Sequence, residues 1–251
     1  MMADNSFLYG KGVFTTVAVR GGEPFLWDKH WRRLKLAAER TGIGLNGFAE
    51  ADVLAGVKAK IAASSFDAAR VRITFSDRTP SSLWPSEADP GDGPELSLIA
   101  GAIRPVPTPF RVTFSPFPVN SRSPIAGIKT CNYLEPLLAI EEARGRGYNE
   151  AIRMNERGHI VGGCMANIFW GKGGRLFTPA LVTGCLAGTT REFVTEALEC
   201  NEIAAGADEL IGADMICFTS AGLGVTAVNT LDGRELRDVS HPIMSLLGQR
   251  T

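Results

Sequence analysis

Residues 127–134 read Gly127-Ile128-Lys129-Thr130-Cys131-Asn132-Tyr133-Leu134, and the fold turns on the lysine near their centre. The chain holds only seven lysines, and most of the others stand among charged neighbours. Lys129 instead follows Ile125, Ala126, Gly127 and Ile128, a small apolar run. Apolar surroundings push a lysine toward its neutral, nucleophilic amine, the form that condenses with aldehydes. The same residues also suit a lysine whose stem lies along a strand edge with its head in water. The flanking sequence has to separate the two.

Immediately upstream, residues 116–124 carry three prolines and two serines, the composition of an interdomain linker. Downstream, Asn132 with Glu135 three residues on has the form of a capping box for a helix through Leu134, Leu137, Leu138 and Glu141. Before the linker, Val13 to Val19 is a β-branched run that turns at Gly21-Gly22 into Pro24-Phe25-Leu26. Asp28 then caps a helix with Trp31, Leu34 and Ala38 on one face, stopped by Gly42, and a second helix fits Glu50 to Ala63. Val71, Ile73 and Phe75 alternate with Arg70, Arg72 and Thr74 as a strand with one charged face. Residues 80–93 read as a long loop, with further strands near Glu95 to Ile103 and Arg111 to Ser115. Beyond residue 134, strands fit Glu150 to Met154, Ile168 to Gly171, Arg175 to Thr178 and Asp214 to Thr219, and helices fit Thr190 to Cys200 and Pro242 to Leu247. The pattern predicts an α+β chain: an N-terminal lobe over 1–119, a linker over 120–126 and a C-terminal lobe over 127–251.

Composition narrows the function. With 251 residues, 45% hydrophobic and 21% charged, the chain is long enough for two cores and has the balance of a globular protein. Lys+Arg 26 against Asp+Glu 27 leaves no basic field for nucleic acid or an anionic membrane. Apolar runs such as Leu96 to Ile103 are far shorter than a membrane span, and the amino terminus has no signal-peptide pattern. Five cysteines without a Cys-x-x-Cys pair fit reduced thiols in a cytoplasmic compartment, and three distant histidines give no metal site. A small-molecule protein is expected.

Two stretches can receive an anion. Gly184-Cys185-Leu186-Ala187-Gly188-Thr189-Thr190-Arg191 runs from a loop into a helix, whose first amides and dipole suit a phosphate. Thr189 or Thr190 can equally be a plain helix cap. Thr219-Ser220-Ala221-Gly222-Leu223-Gly224 follows a strand and can form an anion nest or a tight turn. Neither is a Walker loop, so a lone phosphate suits them better than a triphosphate.

Taken in order, these segments resemble the class IV aminotransferase family, the fold-type IV pyridoxal-phosphate enzymes. Tyr9-Gly10-Lys11-Gly12-Val13-Phe14-Thr15-Thr16 looks like the family's opening strand and His30-Trp31-Arg32-Arg33-Leu34 like its first helix. Gly127 to Leu134 is similar to the Schiff-base lysine segment. Cys164-Met165-Ala166-Asn167-Ile168-Phe169-Trp170 is similar to the Asn-containing strand, and Gly188 to Arg191 to the phosphate loop. The resemblance implies a two-lobed fold with a smaller N-terminal α/β lobe and a larger C-terminal lobe built on mixed sheets. It further implies pyridoxal 5'-phosphate held on Lys129, which then moves the substrate's α proton. By the same resemblance Arg33 pairs with the cofactor phosphate, while Thr189, Thr190, Ser220 and Ala221 wall it and Tyr133 stands beside the cofactor. A homodimer is implied as well, with active sites between the lobes and near the dimer interface. For the carboxylate of the small amino substrate, Arg72, Arg78 and Arg122 are candidates, and Arg78 is the preferred one.

Three positions depart from the pattern. Gly162 stands five residues before Asn167, where the family usually has a glutamate that pairs with the protonated pyridine nitrogen. Without an acid the ring becomes a poorer electron sink. Lys11 replaces the usual aspartate, and only eight residues precede Tyr9, where a first strand is expected; either the lobe lacks an edge strand or the start is late. The Phe14-Thr15-Thr16 and Cys164-to-Trp170 details look most like the 4-amino-4-deoxychorismate lyases, which release pyruvate and form 4-aminobenzoate for folate synthesis. Aromatisation gives that reaction its own driving force, so a lyase tolerates Gly162 better than a transaminase does. Branched-chain or D-amino-acid transaminase is the alternative, and a non-catalytic relative that keeps the fold is a third reading, favoured by Gly162.

Overall fold

A computed structural model describes residues 4–64, 66, 69–81, 93–236 and 240–247. The long loop expected over 80–93 therefore lies mostly outside the described residues. Two compact units emerge, one formed by residues 1–104 with 128–133, the other by 105–127 with 134–251. The boundary expected at 119/120 is thus displaced to 104/105. The reason is that the strand at Arg111–Phe114 pairs with Glu150–Met154 rather than with anything earlier in the chain. The lysine segment, expected in the C-terminal lobe, belongs to the first unit.

In the first unit α1 (Asn5–Tyr9) leads into β1 (Gly12–Arg20), β2 (Glu23–Pro24), α2 (Trp27–Arg40), α3 (Glu50–Ala62), β3 (Ala69–Asp77) and β4 (Pro94–Ala102). The sheet order is β2-β1-β3-β4, antiparallel throughout. Gly21 and Gly22 both take positive φ, the two-residue turn whose twist matches a hairpin. Alternation puts Val13, Val17, Val71, Ile73 and Phe75 into one core with Leu34, Val53 and Val57 from the helices. Asp28 does not cap α2. Leu26 occupies that position in the left-handed conformation, and Asp28 sits in the first turn, where its charge meets the positive helix end. In place of the expected first strand, residues 5–9 form α1, capped by Asp4.

Residues 128–133 join this sheet. Phe14 N–H donates to the Lys129 carbonyl (3.0 Å) and Cys131 N–H to the Gly12 carbonyl (2.8 Å), with Thr130 bridged to Val13. Gly12 permits the approach, because a Cβ there would lie 2.8 Å from Cys131 Sγ.

The second unit contains β5 (Arg111–Phe114), α4 (Leu134–Gly145), β6 (Glu150–Met154), β7 (Ile160–Gly163), β8 (Asn167–Lys172) and β9 (Arg175–Pro179). It continues with α5 (Thr189–Ala197), β10 (Asn201–Ile203), α6 (Asp208–Ile211), β11 (Met215–Ser220), β12 (Gly224–Ala227), β13 (Thr230–Leu231), β14 (Arg234–Glu235) and α7 (Pro242–Ser245). Two mixed five-stranded sheets result, β10-β9-β8-β11-β12 and β14-β13-β5-β6-β7. Ile152, Ile160, Ile168, Trp170, Ile216 and Phe218 fill the core they share. The expected capping box at α4 is not formed: Asn132 donates to the Gly10 carbonyl (3.1 Å), and Glu135 pairs with Arg153.

Candidate functional site

The first unit gathers five polar side chains around the lysine. Lys129 Nζ lies 3.1 Å from the Tyr133 hydroxyl and 4.4 Å from the centre of the Phe14 ring. Part of the lysine surface stays open, but its amine is densely enclosed. Loss of hydration, then the positive charges of Arg33 and Arg72, lower its pKa from 10.5 to about 7. Near neutral pH about half of such amines are unprotonated and nucleophilic. Edge-on packing of Phe14 against Tyr133, 5.2 Å between centroids, fixes both rings.

Arg33 Nη2 donates to Thr15 Oγ1 (2.7 Å), which also meets His30 Nδ1 at 2.6 Å. Burial first, then Arg33 and Lys129, hold the His30 pKa well below its usual value, so the imidazole is neutral and adds no charge beside the guanidinium. Thr15 and His30 were not expected as site residues. Their signal was present: His30 and Arg33 are one helical turn apart on α2, and Thr15 is on the strand that α2 covers.

Arg72 lies 3.5 Å above the Phe14 ring and donates to Thr74 Oγ1 (3.1 Å). Arg78, the preferred carboxylate clamp, is committed elsewhere: it pairs with Asp4 (2.8 Å) and Glu95 (2.7 Å). Arg122 is exposed. Arg72 is the candidate that shares the lysine's surroundings. Lys11 pairs with Asp77 at 2.8 Å. Burial raises the Asp77 pKa, but bonds from Lys11, Thr79 and Asn5 outweigh it and hold the carboxylate well below the ordinary range.

In the second unit, α5 starts at Thr189 with Gly188 as its cap and no side-chain capping bond. Thr189 and Thr190 are buried. The Asn167 amide donates to the Leu186 carbonyl (2.8 Å), and a Cβ on Gly188 would fall 1.9 Å from Asn167 Oδ1, so only glycine fits there. Asn167 pairs across the sheet with Thr219, whose buried hydroxyl has no partner among the described residues. The Ser220 hydroxyl accepts the Leu223 N–H (3.0 Å) in the turn that includes Ala221. Both sequence-read anion loops therefore converge on Asn167.

Gly162 lies on β7 directly opposite Arg153 of β6. Glu150, on the other face of β6, is buried and accepts N–H bonds from Ala151 (3.0 Å), Cys164 (2.8 Å) and Met165 (3.3 Å). Burial raises its pKa, and those amides partly offset the rise. Its carboxyl braces the turn that leads to Asn167.

Each unit, taken by itself, offers one feature that suits part of a phosphorylated aldehyde. An amine near neutrality suits the carbonyl carbon. In the second unit the start of α5, which has no side-chain cap bond, and the small residues around it suit a phosphate. Among the described residues no group of His, Cys, Asp and Glu is placed to hold a metal, and no helix is long and apolar enough to cross a membrane.

Comparison with known proteins agrees with this chemistry. The sequence profile described as amino-transferase class IV matches residues 12–231. An aminodeoxychorismate lyase of Bacillus subtilis is 28% identical over 195 residues, 77% of this chain and 66% of that protein. One from Vibrio harveyi is 26% identical over 98% of this chain and 92% of its own. The crystal structure of a branched-chain aminotransferase from Thermoproteus uzoniensis with norvaline superposes with a TM-score of 0.85 at 25% identity, covering 97% of this chain and 85% of that one.

Proposed function

Since the chain belongs to the class IV aminotransferase family, we propose that it is a pyridoxal-phosphate enzyme that cleaves 4-amino-4-deoxychorismate to 4-aminobenzoate and pyruvate. The observation that carries the cofactor reading is the amine of Lys129, brought to a pKa of about 7 beside the Tyr133 hydroxyl. When bound, the cofactor supplies an aromatic ring that withdraws electrons from the substrate's α carbon. The chain's own residues do the rest. Lys129 Nζ takes and returns the proton at that carbon. Tyr133 holds the amine in place. Thr189, Thr190, Ser220 and the Ala221 amide bind the phosphate, with Arg33 as its cation. Arg72 receives the substrate carboxylate.

Lyase chemistry is supported by the two similar lyases and by Gly162. A site without an acid at that position favours a reaction driven by aromatisation over one that must store electrons in the ring. Transamination of a branched-chain or D-amino acid is the second reading, favoured by the likeness to the Thermoproteus enzyme. The retained, near-neutral lysine argues against a non-catalytic relative.

A homodimer is part of this proposal. In the second unit Leu134, Leu137 and Leu138 of α4 stand exposed, as do Phe117 and Ile125, an apolar set of the kind that a second copy covers.

The deciding assay supplies pyridoxal phosphate and 4-amino-4-deoxychorismate and follows both products. Equal amounts of 4-aminobenzoate and pyruvate are expected. Keto acid formed only when an amino acceptor is added would give the reaction to the second reading, and no turnover by cofactor-loaded protein would reject both.

A further inference from the structure

Main-chain bonds tie the lysine segment to β1 as far as Cys131, and among the described residues the ladder stops there. Tyr133, whose hydroxyl lies 3.1 Å from Lys129 Nζ, stands beyond it. Its N–H donates to the Cys131 carbonyl (2.8 Å), which makes a three-residue turn with Asn132 at the centre. One such bond contributes only about 0.5–1.5 kcal/mol, so the turn needs a second support to stay in one arrangement.

Asn132 supplies it. Its side-chain amide donates to the Gly10 carbonyl (3.1 Å). The contact is close: Gly10 has a φ of 63°, and a Cβ built on it would lie 2.7 Å from Asn132 Oδ1. A larger residue there would push the amide away. Asn132 is exposed, so core packing does not account for its position.

Gly10 is itself anchored, because it closes α1 and α1 is fastened to the end of β3. The Asn5 N–H donates to the Thr79 carbonyl (3.1 Å), and the Asn5 side chain donates to Asp77 (3.1 Å). Lys11 reaches the same Asp77 oxygen at 2.8 Å, and Asp4 pairs with Arg78. Lys11, which departs from the family's pattern, thus belongs to the support of α1. All these residues lie in the first unit.

We propose that Asn132 is a positioning residue for the reactive amine: by tying the turn at 131–133 to Gly10 it keeps the Tyr133 side chain against Lys129. The inference rests on the reading of Lys129 given above. Tyr133 walls the amine with its ring, whose centre is 4.7 Å from Nζ, as well as with its hydroxyl. Released from Gly10, the turn lets that side chain swing away and water reach the amine, which then holds its proton more tightly.

The test is the titration of Lys129 in cofactor-free protein, followed by NMR of carbon-13-labelled lysine. Only seven lysines are present, and the spectrum of Lys129→Met assigns the resonance. The wild-type midpoint is expected at about 7. Asn132→Ala should move it upward toward the ordinary 10.5, and Gly10→Ala, which displaces the same amide from the other side, should do likewise. Tyr133→Ala should raise it too, and adding Asn132→Ala to that variant should raise it no further, since residues that act as one unit are not additive. Arg33 and Arg72, the charges that bear on the amine, are kept in every variant. A wild-type midpoint near 10.5, an unmoved midpoint in Asn132→Ala, or an Asn132→Ala shift undiminished in the Tyr133→Ala background overturns the inference. If Asn132→Ala does not fold, Gly10→Ala and Tyr133→Ala decide, and a midpoint that either leaves in place overturns it as well. A visible absorbance change on adding pyridoxal phosphate to the wild type is a separate measurement. Its absence rejects the cofactor reading, and with it any catalytic use of this anchor, whatever the titration gives.

Discussion

Lys129 and Tyr133 are four residues apart in sequence, and the amine of one lies 3.1 Å from the hydroxyl of the other. The segment between them is held to β1 by main-chain bonds, so the pair is set by sheet geometry and not by a free loop. Removing the hydroxyl should leave cofactor affinity nearly unchanged while slowing proton transfer. For Tyr133→Phe a fall in kcat of about 10–100-fold is expected, at or below the ~100-fold lower end for a proton-transferring group, because Tyr133 only holds the amine that moves the proton. A kcat equal to wild type in steady-state assays would remove Tyr133 from the chemistry.

The lysine also ties stability to pH. Its pKa falls from 10.5 in the unfolded chain to about 7 in the fold. Between those values the unfolded chain binds more protons, so cofactor-free protein gains stability as pH rises through that window. Below it, the folded state bears the whole cost of a charged, desolvated amine. Lys129→Met should therefore raise the urea midpoint at pH 6 and change it progressively less toward pH 10. An equal shift at both ends would show that the amine is not perturbed.

Arg72 and Arg78 make opposite predictions. Arg72→Met should raise KM for the carboxylate substrate at least ~10-fold, since a charged hydrogen bond contributes on the order of 1.5–3 kcal/mol. Arg78→Met should leave KM alone and cost no more than about 1 kcal/mol of stability, because its ion pairs are half exposed. Reversal of the two KM values in parallel assays would return the clamp to Arg78.

Gly188→Ala tests the anion cradle. The added methyl would overlap Asn167 Oδ1 and push apart the α5 start and the strand that faces it. Overpacking typically costs 1–3 kcal/mol. Expressed as cofactor binding, that is roughly a 10–100-fold weaker Kd, measurable by fluorescence titration. Wild-type affinity would mean that the phosphate sits elsewhere.

Much of this was legible in the residues. Val71, Ile73 and Phe75 alternate with polar neighbours, and the strand they predict is β3. Glu150 to Met154 is β6 to the residue. Short strands escaped, among them β7 and β12, because Gly162-Gly163 and Gly224 are poor strand formers that only their ladder partners hold extended. At all three helices for which the sequence offers a cap, another residue or contact takes that place, as Gly188 does at α5. Asp28 and Asn132 have the right chemistry for a cap, but the chain's approach to each helix is fixed by contacts distant in sequence. Lys129 and Arg33 could be picked out by their motifs. The commitment of Arg78 could not, since Asp4 lies 74 positions away from it and Glu95 lies 17. Nor could the pairing of Arg153 with Gly162, since β7 itself is not evident in the residues.

The first unit is completed by residues 128–133, after the chain has already laid down 105–127 in the second. A fragment ending at Arg104 would emerge from the ribosome without its reactive amine or the edge that Gly12 and Phe14 require. Neither half can be cut out as one continuous piece, so attempts to express them separately should yield aggregates, and synthesis must pass residue 133 before the earlier half can lock.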